Sequence, residues 1–156
     1  MPPRTTPRLD EFLPYRLSLA SNAVSQVIAQ AYEARFALKT PEWRVVWVLA
    51  EDGELTQQGL VGRTQMDKVT VSRAARVLER RKLVRRVQNT ADGRSLMLSL
   101  TAQGKALHQE VAPRAVKLAE GVLKGLKGRE IQALLAALRH IESAAAKLLS
   151  GGGVDG

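Results

Sequence analysis

Cysteine is absent from the 156 residues of this chain, and histidine occurs only twice. Without cysteine there are no disulfides, no thiolate metal ligands and no thiol-based sensing of peroxide. The two histidines, His108 and His140, are accompanied by neither an H-E-x-x-H motif nor a glycine-rich phosphate loop. A catalytic site therefore has few residues to draw on, and we expect neither an enzyme nor a bound cofactor.

Long apolar runs are missing as well. No stretch approaches the roughly 18 apolar residues that a membrane span requires, and the N-terminal residues MPPRTTPRLDEF contain no apolar signal core. We therefore expect a cytoplasmic protein with no membrane partner. Hydrophobic residues still make up 45% of the chain, which is enough for the core of one domain with a helical extension.

Negative charge is scarce relative to positive charge. The chain has 24 Lys and Arg against 15 Asp and Glu, a net charge of +9. Residues 63–94 alone hold ten basic and three acidic side chains, a net of +7. Such an imbalance favours a polyanionic partner, and its concentration in one segment indicates a dedicated binding surface.

Apolar spacing predicts a mostly helical (α+β) chain, beginning with a long amphipathic helix over residues 10–38. Its stripe, repeating every 3.6 residues, consists of Leu13, Leu17, Ala20, Val24, Ile28 and Ala31. Thr40, as N-cap, and Pro41, at the first helical position, predict a second helix that ends before Gly53. Because that helix is apolar nearly all round, we expect it to be buried between layers.

The middle of the chain predicts a winged helix-turn-helix over residues 39–100. A short third helix begins at Thr56, and a fourth runs from Lys68 to about Arg81 with Asp67 as its N-cap. Residues 83–88 and 95–100 are strand-like and are joined by NTADGR, whose Asp-Gly pair is typical of a hairpin.

Two further helices are predicted over residues 101–149, with Thr101 as the first cap. Together with the first helix they expose apolar stripes that find few partners within one chain, so we expect a homodimer with N- and C-terminal dimerisation helices. Residues 1–9 are predicted to form a flexible leader and residues 150–156 a flexible tail.

The fourth helix has two chemically different faces at 100° per residue. One face is apolar and small, with Val71, Ala74, Ala75 and Leu78, and the opposite face carries Val69 and the arginines. An α-helix fits the major groove, where arginine can bond guanine and an apolar side chain can touch a thymine methyl. We predict DNA contacts from Lys68, Val69, Thr70, Ser72, Arg73, Arg76, Arg80, Arg86, Asp92 and Arg94.

Several of these residues have a second interpretation. The cluster from Arg80 to Arg86 suits non-specific phosphate contact or a solvated surface. Thr70 and Ser72 can bond the local backbone instead of DNA. At the hairpin tip Arg94 suits a minor groove or phosphates, while Asp92 either orients that guanidinium or stabilises the turn.

Three stretches together resemble the MarR family of bacterial transcriptional regulators: TPEWRVVWVL, LTQQGLVGRTQMDKVTVSRAARVLERRKLVRRV and DGRSLMLSLTAQGKAL. The most specific parts are the D-x-R of the wing, the L-T-x-x-G that ends at Gly104, and the D-K-x-T-V-S-R that begins the fourth helix. The resemblance covers nearly the whole chain. It implies a dimeric winged-helix repressor, often released from its operator by phenolic or aromatic ligands.

The chain departs from the family's pattern in two places. Lys82 stands where glycine usually follows the recognition helix, and Gly59 and Gly62 soften the helix before it. The first departure concerns how the fourth helix ends, and the second concerns how firmly its neighbour is held.

A pocket for a small aromatic acid or phenol is predicted from aromatic and polar residues at helical spacing. Its candidate residues are Arg16, Ser21, Asn22, Trp43, Trp47 and His108. The tryptophans would face the ring, and Arg16 or His108 would bind a carboxylate. The same tryptophans are equally consistent with a place in the core.

The predicted function is sequence-specific DNA binding by a ligand-released repressor, on a pseudo-palindrome with half-sites about 10 bp apart. Three alternatives remain open. A sequence-independent architectural DNA binder would use the same charge. A metal sensor would have to use His108, His140, Glu110 and Glu142, and a membrane-surface helix would have to use the small apolar face of the fourth helix.

Overall fold

The computed structural model describes residues 6–151, apart from the side chain of Ala31. Residues 1–5 and 152–156 of the predicted leader and tail lie outside the described residues, as does Ala31 of the predicted apolar stripe. The helices are α1 (Leu13–Phe36), α2 (Thr40–Asp52), α3 (Gln57–Thr64), α4 (Lys68–Arg80), α5 (Ala102–Val122) and α6 (Gly128–Ser150). The strands are β1 (Leu55–Thr56), β2 (Val84–Gln88) and β3 (Leu96–Leu100).

The predicted fold class is confirmed, with one strand more than expected. The sheet is antiparallel in the order β1-β3-β2, and the hairpin register pairs Val84 with Leu100. The unpredicted strand β1 pairs Leu55 with Leu98. Its two residues are too few to show the alternation that identifies a strand in a sequence, and pairing with a distant segment alone defines it.

The core lies between α2, α3, α4 and the sheet, as the apolar sequence of α2 predicts. Its buried side chains are Leu38, Val45, Val46, Val48, Leu49, Leu60, Val71, Ala74, Ala75, Leu78, Leu83, Val84, Leu98 and Leu100. Full burial of a leucine or valine side chain stabilises a fold by about 1.5–3 kcal/mol. This burial holds α3, despite its two glycines, through the fully buried Leu60.

The predicted caps Asp67 and Thr101 are present, and Thr56, where the third helix was predicted to begin, is the N-cap of α3. The Thr56 hydroxyl accepts from the Gly59 N–H at 3.0 Å, the Asp67 carboxylate from the Thr70 N–H at 2.8 Å, and the Thr101 hydroxyl from the Gly104 N–H at 3.0 Å. Each cap satisfies a backbone donor at a helix start that has no partner within the helix.

The predicted start of α2 and the predicted end of α1 were each wrong by a residue or two. Lys39, not Thr40, is the N-cap of α2, because the buried Glu42 carboxylate reaches back to the Lys39 N–H at 3.0 Å. Helix α1 ends at Phe36, since Ala37 adopts the left-handed conformation at φ 48°. Leu38 leaves the helix and is fully buried in the core.

Lys82 ends α4 in the way that glycine usually does. Its φ is 59°, its N–H donates to the Glu79 carbonyl at 2.9 Å, and the Leu83 N–H donates to the Leu78 carbonyl at 2.9 Å. These two bonds define a Schellman motif, and the buried Leu78 and Leu83 supply its hydrophobic contact. The departure from the family therefore leaves the helix end intact and places a strained lysine there.

The chain divides after Ala119 into two compact units. Taken by itself, α6 has no buried residue, and large apolar side chains on it are solvent-exposed, among them Leu134, Leu135 and Ile141. Among residues 6–151 no helix is both long and apolar enough to cross a membrane.

Candidate nucleic-acid interface

Helix α4 separates a buried face from a charged one, as its sequence predicts. Val71, Ala74, Ala75 and Leu78 are buried, while Val69 on the other side is 57% exposed. The other predicted contact residues of α4 are solvent-exposed or half-buried: Lys68, Thr70, Ser72, Arg73, Arg76 and Arg80. An exposed valine beside arginines is a chemical combination suited to base edges in a major groove.

The start of α4 is fixed by Asp67. Its carboxylate accepts from the Thr70 hydroxyl at 2.6 Å as well as from the Thr70 N–H. These bonds, the hydroxyl first, lower the pKa of Asp67 from its ordinary value of 3.8. The Thr70 proton is thereby committed to the cap, and only its oxygen lone pairs remain for DNA.

The arginines of this region divide into bonded and unbonded groups. Arg86 Nε donates to Glu79 at 2.7 Å, Arg85 Nε donates to the Ser99 hydroxyl at 3.3 Å, and Arg63 pairs with Glu51 and Asp52. By contrast, four of the arginines predicted to contact DNA make no side-chain hydrogen bond or ion pair with any residue between 6 and 151: Arg73, Arg76, Arg80 and Arg94. The predicted DNA contact of Arg86 would have to be made beside its carboxylate partner.

The tip of the wing is an ordered turn built around Asp92. Its carboxylate accepts from the Arg94 N–H and the Ser95 N–H, each at 3.0 Å, and from the Ser95 hydroxyl at 2.8 Å. These bonds lower the pKa of Asp92, and Gly93 adopts φ 64°. Of the two roles predicted for Asp92, stabilisation of the turn is the one observed. Its carboxylate accepts from the backbone N–H of Arg94 and does not contact the guanidinium. Arg94 is left exposed at the tip.

An open groove of about 1000 Å³ runs between the start of α2 and the charged face of α4. Lys39, Arg73, Arg76 and Arg80 contribute positive charge to its walls, against Glu42 and Glu79. Unpaired cations along an open groove attract a phosphate backbone at long range.

Comparison with known proteins decides the family. The sequence model of the MarR family matches residues 38–95, from the end of α1 to the wing. A curated relative, the HTH-type transcriptional regulator FarR of Neisseria gonorrhoeae, is 31% identical over 107 residues, which cover 66% of this chain and 73% of that protein. The chain belongs to the MarR family. It is therefore a DNA-binding transcriptional regulator.

Solved structures of bacterial regulators have the same fold. A MarR/EmrR regulator from Acinetobacter sp. ADP1 superimposes with a TM-score of 0.84 at 21% identity, covering 91% of this chain and all of that one. BpsR of Bordetella bronchiseptica, whose DNA binding is regulated by 6-hydroxynicotinic acid, gives a TM-score of 0.76 at 25% identity and covers 83% of this chain and 98% of BpsR. The winged helix and its flanking helices are thus those of this family.

A row of aromatic rings joins α1, α2 and α5 of this MarR-family chain. Tyr32 stacks on Trp43 with centroids 5.2 Å apart, Trp43 meets Trp47 edge-on at 6.2 Å, and Trp47 meets His108 edge-on at 5.1 Å. Burial lowers the pKa of His108, against the opposing charge of Glu51. Three of the predicted ligand residues are thus brought together.

Two small cavities flank this row. One of about 340 Å³ is lined by Ile28, Trp43, Trp47, Ala115, Val116 and Ala119. The other, of about 420 Å³ and called here the tyrosine cavity, is lined by Tyr32, Phe36, Val111, Arg114, Lys117 and Leu118. The remaining predicted ligand residues, Arg16, Ser21 and Asn22, are exposed on α1 and line neither cavity.

Sequence reasoning missed Tyr32 and Arg114. Tyr32 is 2% exposed, and its hydroxyl and the indole Nε1 of Trp43 are buried without a hydrogen-bond partner among the described residues. Burial raises the pKa of Tyr32 to about 12. The signal for Tyr32 was available, because it follows Ile28 by four residues on the α1 stripe. Arg114 had no such signal, since only the packing of α5 brings it to the cavity.

Proposed function

We propose that this MarR-family regulator is a homodimeric repressor that reads a pseudo-palindromic operator and is released from it by a small aromatic acid. The observation that supports sequence-specific DNA binding is the charged face of α4, where Arg73, Arg76 and Arg80 share a side of the helix with the exposed Val69 and bond to no described residue. Bonded arginines would have to lose those bonds before reaching DNA, so unbonded ones are the natural reading groups.

The apolar face of α6 supports the dimer. Exposing the leucines and isoleucines of this 23-residue helix to water is unfavourable, and a contiguous apolar surface of this kind marks an interaction site. A second copy supplies the same face and buries both in a two-fold interface. Two recognition helices would then enter successive major grooves, about 10 bp apart.

The tyrosine cavity supports an aromatic effector. Its volume of about 420 Å³ is at the small end for ligand pockets. Tyr32 stays protonated at neutral pH because its pKa is about 12. Its hydroxyl is buried without a partner among the described residues, so a ligand oxygen that reached it would gain a hydrogen bond. Arg114 and Lys117 line the same cavity and would attract a carboxylate. BpsR, which responds to 6-hydroxynicotinic acid, offers a precedent of this chemical class.

Release requires that the acid bind better to a dimer whose recognition helices are wrongly spaced for the operator. The tyrosine cavity is bounded by α1 and α5, and it includes Phe36 at the end of α1. Filling it would therefore act on the helices that we propose carry the dimer interface, rather than on the reading face directly.

The effector is tested by fluorescence anisotropy of the operator complex, titrated with benzoate, salicylate, 4-hydroxybenzoate and 6-hydroxynicotinate. We expect at least one acid to release the wild-type protein. Tyr32→Phe, which removes only the hydroxyl, should raise the half-release concentration about 3- to 10-fold, the worth of one hydrogen bond. DNA affinity without acid should not change.

Tyr15→Phe is the matched control, because Tyr15 is the only other tyrosine and is exposed. Equal shifts for the two variants would remove Tyr32 from the site, and no release by any acid would contradict the effector class. The same titration with Arg114→Ala and with Arg16→Ala shows which of the two arginines binds the carboxylate of the acid. We expect the larger loss for Arg114, since it lines the cavity.

A further inference from the structure

Arg81 joins the ends of two helices that are far apart in the sequence. Its Nη1 donates to the Ala37 carbonyl at 2.8 Å and its Nη2 donates to the Phe36 carbonyl at 2.7 Å. Phe36 is the last residue of α1, and Arg81 is itself the C-cap residue of α4. The guanidinium of Arg81 therefore joins the C-terminal end of α4 to the C-terminal end of α1.

The chemistry of both partners favours this contact. The last carbonyls of a helix have no partner within the helix and carry the negative end of its dipole. Arginine meets two such oxygens with two nitrogens held in one rigid plane, a geometry that the single nitrogen of lysine lacks. Ala37 is held in the left-handed conformation at the contact point, so the two carbonyls converge where the chain turns away from α1.

The position of Arg81 distinguishes it from its neighbours. Arg80, one residue earlier, is exposed on the charged face of α4, whereas Arg81 is half-buried and directed to the protein. Lys82, one residue later, is exposed, and its left-handed backbone fixes how the chain leaves α4. Of three consecutive cations, the middle one is bonded to backbone oxygens and is not available as a phosphate ligand.

We propose that Arg81 is a positioning residue for DNA binding: it holds α4 at a fixed orientation to α1, so that Arg73 and Arg76 meet the duplex in register. The inference rests on DNA binding and not on the proposed effector. Phe36 also lines the tyrosine cavity. The hydrogen bond from Arg81 to the Phe36 carbonyl therefore connects that cavity with α4.

The test is the salt dependence of DNA affinity for Arg81→Gln and Arg81→Lys, with Lys82→Gln as the control of equal charge change at the next residue. We expect Arg81→Gln to weaken binding about tenfold at every salt concentration between about 50 and 200 mM, with the wild-type slope of log Kd against log salt. A lost phosphate contact would instead lower that slope by about 1. Arg81→Lys should not restore wild-type affinity, because the donors of an ammonium diverge from one nitrogen and do not match the two carbonyls as the parallel N–H groups of a guanidinium do.

Hydrogen exchange separates positioning from general destabilisation. In Arg81→Gln the amides of the last turn of α1 and of the last turn of α4 should exchange faster, while the core amides of α2 keep their protection. The proposal is overturned by a slope reduced by about 1 with rescue by lysine, which would make Arg81 a phosphate contact. It is equally overturned by faster exchange throughout the core, or by an affinity loss no larger than that of Lys82→Gln.

Discussion

Replacing Gly104 with alanine adds a single methyl group, and we expect this change to destabilise the fold. A Cβ added there would lie 2.0 Å from the Leu83 carbonyl oxygen and 3.2 Å from a methyl carbon of Leu100. Ordinary van der Waals contact begins near 3.4 Å, so the backbone would have to move by more than 1 Å. Leu83 precedes β2 and also accepts the Thr101 N–H at 3.0 Å, which joins this point to the wing.

Two opposing contributions set the change in the free energy of unfolding for Gly104→Ala. Alanine is favoured over glycine in a helix by about 1 kcal/mol. Overpacking a filled site costs about 1–3 kcal/mol and more where the obstacle is backbone. We therefore expect Gly104→Ala to lower the free energy of unfolding by about 2 kcal/mol, which corresponds to about 4–8 °C in Tm for a chain of this length.

Urea unfolding at one fixed protein concentration measures this change, since dimerisation would make stability depend on concentration. Gly62→Ala is the matched control, because Gly62 lies in α3 and an added Cβ there meets no atom within 4 Å. It should leave stability unchanged or raise it by up to about 1 kcal/mol. Equal stability of Gly104→Ala and wild type would refute the close approach of α5 to the Leu83 carbonyl.

Three further predictions concern α4. Lys82→Gly should raise the free energy of unfolding by about 1 kcal/mol in urea, because glycine adopts φ 59° without strain; a loss would contradict the Schellman end. Asp67→Ala should lower the free energy of unfolding at neutral pH, because α4 loses its N-cap. Because hydrogen bonds lower the pKa of Asp67 below 3.8, the charged cap contributes fully above that pH and is lost as the pH falls through the lowered value, whereas Asp67→Asn should show less of this acid-dependent loss. Arg73→Ala should weaken binding to the operator by about 1–3 kcal/mol more than binding to random duplex, while Arg85→Ala should weaken both alike; equal losses for Arg73→Ala would remove it from base reading.

Local chemistry explains why so much of the fold was predictable. The caps at Thr56, Asp67 and Thr101 depend on bonds that span three residues, and such bonds can be recognised in a short stretch of sequence. The two faces of α4 follow from helical periodicity alone, which is why the buried Val71 and the exposed Val69 were assigned to opposite sides.

Features that depend on distant segments were not predictable. Strand β1 exists only because Leu55 meets Leu98. Arg81 appeared in the sequence as one more cation of a basic cluster, and only the packing of α4 against α1 reveals its bonds to Phe36 and Ala37. A sequence gives the charge of a side chain but not its hydrogen-bond partner. The role of each cation in a basic cluster can therefore be assigned only once the fold is known.

The central claim, that this MarR-family chain reads DNA sequence, is tested most directly by anisotropy titration on the duplex upstream of its own gene and on a scrambled duplex of equal composition. At about 150 mM salt, where non-specific binding is weak, we expect the native duplex to bind about a thousandfold or more tightly than the scrambled one. Equal affinity for the two would contradict base reading by α4 and leave an architectural DNA binder that uses charge alone.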